Sequence, residues 1–294
     1  MPKEPLDSPS RLMTWTCADG TVRELIFDRP LIMGIINITP DSFSDGGRFF
    51  EPAAALAQAK IHLEQGADIL DLGAETTRPG SLPTPADEEW RRLSAVLETL
   101  ARDPDCVPIS VDTNKAEIAE KAILAGASII NDIYAGRNDP GILKVCASYG
   151  VPVILMHMQG DPRTMQQNPQ YDDVVTEVRD FLLAKAREAM SLGIDPSKII
   201  LDPGLGFGKT AVHNLTLLKH LDRVFPRGFH SLMALSRKAF LGRILEGAPP
   251  EERDIATAAA NAVAVLKGAE IIRVHNVKPS REAAFLARAV LNAT

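Results

Sequence analysis

The 294-residue chain carries 32 Lys and Arg against 38 Asp and Glu, and the resulting net charge of −6 at pH 7 argues against a general nucleic-acid binder, which would be basic. No apolar run approaches the ~20 residues of a membrane span, so no membrane partner is expected. Nor does Met1 to Pro9 contain the apolar core of a signal peptide. Cys17, Cys106 and Cys146 form no CxxC pair and are odd in number, which predicts reduced, buried thiols in a cytoplasmic protein.

The length would hold two average domains, yet no Ser/Gly-rich linker divides it, and one α/β barrel of about 250 residues with additions fits as well. Residues 1–11 read as a disordered tail, and 12–294 as a single barrel domain. Residues 12–28 then predict a β-hairpin, because Asp19-Gly20 separates two alternating runs, Leu12–Cys17 and Val22–Phe27. Such a hairpin could plug the amino-terminal mouth of a barrel.

From Leu31 onward, eight short apolar runs each end in a polar residue: Asn37, Asp71, Asp112, Asn131, His157, Asp202, Ser236 and His275. Strands apolar on both faces belong to a parallel sheet covered by helices. Helical patterns alternate with the runs, over 52–65, 87–101, 118–124, 139–149, 172–191, 213–221, 239–246, 255–267 and 279–291. The stretch Asn114-Lys115-Ala116-Glu117 resembles a capping box before the third of them. Alternation alone allows an open doubly wound sheet, but polar tips on eight successive strands favour a closed (β/α)8 TIM barrel. Chemistry in that fold sits at the carboxyl ends of the strands. Three long Gly/Pro-rich connections, 38–51, 74–86 and 158–171, follow strands one, two and five and would open on that same face as candidate lids.

The segment from Asp202 to Thr210 fails as a phosphate loop, because three residues rather than four separate Gly204 from Gly208-Lys209-Thr210. It reads instead as a close-approach loop over which a flat ring could slide, lined by Phe207. Ser236-Arg237-Lys238 and Arg273-Val274-His275 bring potentially cationic groups to the last two strand ends, where barrels commonly bind phosphate. Asp71, Asp112 and Asp202 would repel one another in a common mouth unless Arg, Lys or a donor-rich ligand met them. The ligand so described is planar, rich in N–H groups on one edge, and carries an anion.

The segments Asn37–Gly47, Asp71–Gly80, Ser110–Thr113, Ile129–Ile133, Leu155–Gly160, Asp202–Lys209, Ser236–Lys238 and Ile271–His275 together resemble the dihydropteroate synthase family of pterin-binding enzymes, over a match from about residue 30 to the carboxyl end. The resemblance implies condensation of (7,8-dihydropterin-6-yl)methyl diphosphate with 4-aminobenzoate. It implies that Asp112, Asn131, Met156, Asp202, Phe207 and Lys238 hold the pterin, that Arg273 stacks on the ring and reaches the diphosphate, and that Asn37, Thr77 and His275 complete this site. It further implies that Asn37 ligates Mg2+, and that Phe43, Thr77, Arg78, Pro79, Phe207 and Ser236 surround 4-aminobenzoate. Asp112, loop Asp45, Lys238 and Arg273 are the catalytic candidates, and a homodimer is the family's common assembly. A pterin-binding methyltransferase barrel would share the pterin carboxylates, but has no use for Asn37 together with Ser236-Arg237-Lys238. A non-catalytic pterin-binding protein is the third reading.

Overall fold

Runs of Val, Ile and Leu buried on both faces can form strands only where helices cover the sheet from outside and side chains fill it from within. In the computed structural model, which describes residues 11–39, 52–76, 81–103 and 105–293, that is their arrangement. An antiparallel pair, β1 (Leu12–Thr16) and β2 (Val22–Ile26), precedes eight parallel strands. These are β3 (Leu31–Asn37), β4 (Ile69–Gly73), β5 (Ile109–Asp112), β6 (Ile129–Asp132), β7 (Val153–Met156), β8 (Ile199–Asp202), β9 (His230–Met233) and β10 (Ile271–Val274). They pair in chain order, and β10 closes on β3 with Ile271 beside Leu31. The expected barrel is therefore closed, and the open-sheet alternative is excluded.

The helices between them are α1 (Pro52–Glu64), α2 (Ala86–Ala101), α3 (Ala116–Leu124), α4 (Gly141–Tyr149), α5 (Val174–Ser191), α6 (Ala211–Lys219), α7 (Leu221–Val224), α8 (Ala239–Ile244), α9 (Asp254–Leu266) and α10 (Val277–Asn292). Val174, Val178, Leu182, Ala186 and Ala189 form a buried apolar stripe on α5, and Asp173 caps the helix by accepting from the Val175 and Thr176 amides. The capping box expected at Asn114–Glu117 does not form. Asp139, from the next connection, accepts the Ala116 amide at 2.8 Å, so a tertiary carboxylate does what the local side chain was expected to do.

The hairpin sits over the amino-terminal mouth. Met13 and Trp15 are buried, Phe27 stacks on His230 at the start of β9, Arg23 donates to the Cys106 carbonyl before β5, and Cys17 meets Ser128 before β6. Burial of each large side chain there contributes roughly 1.5–3 kcal/mol. The hairpin thus occupies the end of the barrel opposite the carboxyl ends of its strands.

One buried polar cluster braces the β4–α2 connection from outside the mouth. Lys115 reaches both Glu75 and Glu89, Thr113 donates to Glu89 at 2.6 Å, and Arg92 donates to the Ala74 carbonyl. Glu89 has no exposed side-chain surface, and burial drives its carboxyl upward against the pull of Lys115. Replacing Lys115 by Met removes the cation both carboxylates share. Urea unfolding is expected to show a loss of about 3 kcal/mol, as for other broken buried pairs. A change below 0.5 kcal/mol, roughly the size of ordinary surface effects, would show that the cluster is not integral to the fold.

Candidate active site

The polar residues expected at the strand ends do gather at the carboxyl-terminal mouth, with adjustments of depth. Asn37, Asp112 and Asp202 are the final residues of their strands, whereas Ser236 lies three residues beyond β9 and His275 one beyond β10. Asp71 is not a tip. It occupies the middle of β4, with Ile35 and Ser110 as register partners, and is fully buried below Asp112.

Arg273 ties these layers together. Its Nε donates to Asp71 Oδ2 at 2.6 Å and its NH2 to Asp112 Oδ2 at 3.0 Å, while Asn131 adds a longer contact to Asp71 at 3.4 Å. Burial opposes the guanidinium charge, but Asp71 and Asp112 outweigh it and hold Arg273 above its ordinary range. The Asp112 carboxyl is pushed upward, first by burial and then by Asp71, against the attraction of Arg273. Across the mouth, Asp202 is likewise raised by burial, although it accepts the Gly204 amide at 2.7 Å and feels Lys238. Burial lowers Lys238 to about 8, and its ammonium lies 4.1 Å from the Phe207 ring centroid. Met156 and Phe207 pack in an apolar cluster with Ile133, Met158 and Met165. The site thus offers an apolar slot beside paired carboxylates and cations.

Two cationic candidates change character. Arg237 does not face the mouth as a free phosphate ligand, because its fork is engaged by Asp254 at 2.8 and 2.9 Å. Its backbone is left-handed, at φ 58°. His275 hydrogen-bonds the Ser236 hydroxyl at 2.9 Å, and burial with Arg273, Arg237 and Lys238 nearby lowers it to about 3. It is a neutral imidazole at pH 7. Phe43 and Asp45, and Thr77, Arg78 and Pro79, lie outside the described residues.

Two glycines of the glycine-rich loop approach the protein's own backbone closely. A Cβ at Gly204 would lie 1.9 Å from the His157 carbonyl oxygen, and one at Gly208 would lie 2.5 Å from that of Gln159. Lys209 is the staple of this loop: it is buried and donates to the Gly204 carbonyl at 2.9 Å, the Phe207 carbonyl at 3.0 Å and His157 Nδ1 at 2.9 Å. The third candidate lid, 158–171, is tied to the same loop through Gln166 on Gly206 and Tyr171 on Gly208. Sequence reasoning missed both the Asp71–Arg273 pair and the role of Lys209. A charged residue inside an otherwise apolar run was the signal for the first, and a lysine directly after a glycine triplet for the second.

Comparison with known proteins agrees with this geometry. The family model described as "Pterin binding enzyme" matches residues 33–275. The chain is 44% identical to a dihydropteroate synthase of Synechocystis sp. over 260 residues, covering 87% of this chain and 90% of that protein. The Yersinia pestis dihydropteroate synthase, solved with a sulfonamide drug complex, is similar at 42% identity and a TM-score of 0.87, over 96% of this chain and 100% of that one. The Xanthomonas albilineans dihydropteroate synthase, solved with 4-aminobenzoic acid, is similar at 42% identity and a TM-score of 0.87, over 98% of this chain and 100% of that one.

Proposed function

The chain belongs to the pterin-binding enzyme family as a dihydropteroate synthase, and from that premise we propose how its residues divide the work. It is a transferase that condenses (7,8-dihydropterin-6-yl)methyl diphosphate with 4-aminobenzoate, giving 7,8-dihydropteroate and diphosphate. The observation that carries the reading is that Arg273 of β10 donates to Asp112 at the end of β5 at 3.0 Å, in the same mouth where Asp202 ends β8 and the Lys238 ammonium lies over the Phe207 ring.

In this reading Asp202 accepts the N–H groups of the pterin's amino-pyrimidinone edge, Lys238 donates to its carbonyl, and Asn131 and Met156 bound the ring. Arg273 stacks on the ring and offers NH1, which has no partner among the described residues, to the diphosphate. The C–O bond to diphosphate breaks first, and its electron pair leaves on the diphosphate oxygen. The aniline nitrogen lone pair then forms the C–N bond, and the nitrogen loses a proton. Asp112 stabilises the intervening pterin cation, while Arg273 and an N–H of neutral His275 stabilise the leaving charge. Asp45 serves as a second anion, and Phe43, Thr77, Arg78, Pro79, Phe207 and Ser236 surround 4-aminobenzoate, as the family resemblance assigns.

Among the described residues no three His, Cys, Asp or Glu side chains cluster as a metal cage. The Asn37 side chain is half-buried at its strand end and has no hydrogen-bond partner among the described residues. One amide oxygen with phosphate and water oxygens suits Mg2+, so Asn37 would hold the ion, whose charge offsets that of the diphosphate when both are bound. The reading is of a cytoplasmic enzyme, and no helix among the described residues is long and apolar enough to cross a membrane. The reading also takes 12–294 as one domain, supported by the hairpin packed on the barrel. A homodimer is supported by exposed apolar side chains on the last helices, Ile255, Leu286 and Val290.

The direct test mixes protein, Mg2+, the pterin diphosphate and 4-aminobenzoate and measures dihydropteroate and diphosphate. Equimolar formation is expected, and binding without diphosphate release would sink the reading. Asp112→Asn is expected to lower kcat/KM by about 10- to 100-fold, the worth of one charge-assisted hydrogen bond. Because the ionised carboxylate is required and burial raises its pKa, wild-type kcat/KM should rise with pH through a limb above the ordinary carboxylate range. That limb should vanish in the variant. Full turnover in Asp112→Asn would remove the residue from the mechanism.

A further inference from the structure

We propose that Asp71 is a positioning residue for the condensation, orienting the Arg273 guanidinium through Nε so that its plane and its NH1 edge meet the substrate. The proposal rests on the dihydropteroate synthase reading and adds a residue which that reading does not use.

Asp71 is a carboxylate in the middle of a strand whose other residues are Ile69, Leu70, Leu72 and Gly73, all buried. A charge so placed is costly unless paired and hydrogen-bonded. Its cationic partner among the described residues is Arg273, and its Oδ1 has no hydrogen-bond partner there. Asp112 already supplies Arg273 with a counter-ion, so charge neutralisation alone does not require Asp71. Two carboxylates around one guanidinium leave an excess of negative charge inside the barrel.

Geometry supplies the reason for the second carboxylate. Held only at NH2, a guanidinium can swivel about that contact and about its Cδ–Nε bond. A second contact at Nε fixes the plane. The fixed fork then has its inner edge committed to protein and NH1 left over. Stacking on a flat ring while aiming NH1 at an anion depends on that plane, and a lysine, a point charge without a planar face, could not do both. Asp71 holds it from one layer deeper than the mouth, where it does not compete for ligand.

The test compares wild type, Asp71→Asn, Asp71→Ala, Arg273→Ala and the double variant Asp71→Asn/Arg273→Ala, as full-length enzyme with Mg2+ and both substrates. Asp71→Asn is expected to lower kcat/KM for the pterin diphosphate by roughly 10- to 100-fold, while KM for 4-aminobenzoate moves less than about twofold. Asp71→Ala should lose more, since asparagine can still accept from Nε. In the Arg273→Ala background, Asp71→Asn should cost no further activity and should raise the melting temperature, because it removes a buried charge that has lost its partner. An additive loss in that background, or near-wild-type kinetics in Asp71→Asn, would overturn the proposal. So would failure of the isosteric Asp71→Asn to fold, which would assign the residue to stability alone. A wild-type protein that forms no dihydropteroate would instead overturn the parent reading.

Discussion

Arg273→Ala is expected to lower kcat/KM by about 10²- to 10³-fold and to cost about 3–5 kcal/mol of stability, the largest combined effect of any single change in the mouth. The guanidinium is the common partner of Asp71 and Asp112. Its removal leaves two carboxylates together in a buried site, and Asp112, already raised by burial and by Asp71, loses the cation that opposes that rise. A carboxylate whose folded pKa stands above its unfolded value contributes stability that is present at low pH and lost as pH rises through the folded value. The variant should therefore be closer to wild type in urea titrations at pH 5 than at pH 8. The kinetic loss follows from a cation–π stack on the ring, worth up to about 2 kcal/mol, and one charge-assisted contact to the diphosphate, worth about 1.5–3 kcal/mol. Arg273→Lys should recover much of the stability and little of the activity, because an ammonium supplies charge without the planar fork. Retention of a tenth of wild-type kcat/KM in Arg273→Ala would show that the ring and the diphosphate are held elsewhere.

Gly204→Ala is expected to be nearly as damaging, through the backbone instead of charge. Its φ of +63° is already unfavourable for alanine, and the added methyl would lie 1.9 Å from the His157 carbonyl oxygen. Backbone at the end of β7 cannot retreat without breaking the hydrogen bond that the His157 N–H donates to the Asp202 carbonyl at 2.9 Å. The loop itself must move, and with it the carbonyls of Gly204 and Phe207 that bind Lys209. A loss of about 3 kcal/mol or more is expected, from left-handed strain plus a buried lysine stripped of acceptors. Pterin affinity should fall with it, since Phe207 and the Asp202 cap ride on the same loop. Gly193→Ala is the control: its φ of +99° is also positive, but a Cβ there meets nothing within 4 Å, so only the conformational cost applies. Equal losses in the two variants would show that the close approach at Gly204 is relieved at no cost.

Much of this molecule could be read before any coordinates. Apolar runs of four to seven residues, each followed by a helical pattern, mark strands buried on both faces, and the Asp19-Gly20 turn marks the hairpin. Those are local properties of backbone and hydrophobic period, and they survive packing because burial of the same side chains drives both. The family motifs gathered Asn37, Asp112, Asn131, Asp202, Lys238, Arg273 and His275 at one end, where a parallel barrel must put the carboxyl ends of its strands.

What only the tertiary structure decided was which charge meets which. Asp71 reads as a strand tip until β4 is seen to run on to Gly73, and Arg237 reads as a phosphate ligand until Asp254 is found across its fork. Lys209 reads only as the residue after a glycine triplet in a failed phosphate loop until its side-chain nitrogen is found buried among carbonyls. Asp139 replaces the expected local cap of α3 from 23 residues away. Periodicity reports burial, a short-range and non-directional quantity. Pairing of buried charges depends on distances of 3 Å between segments as much as 202 residues apart, and these exist only once the barrel has closed.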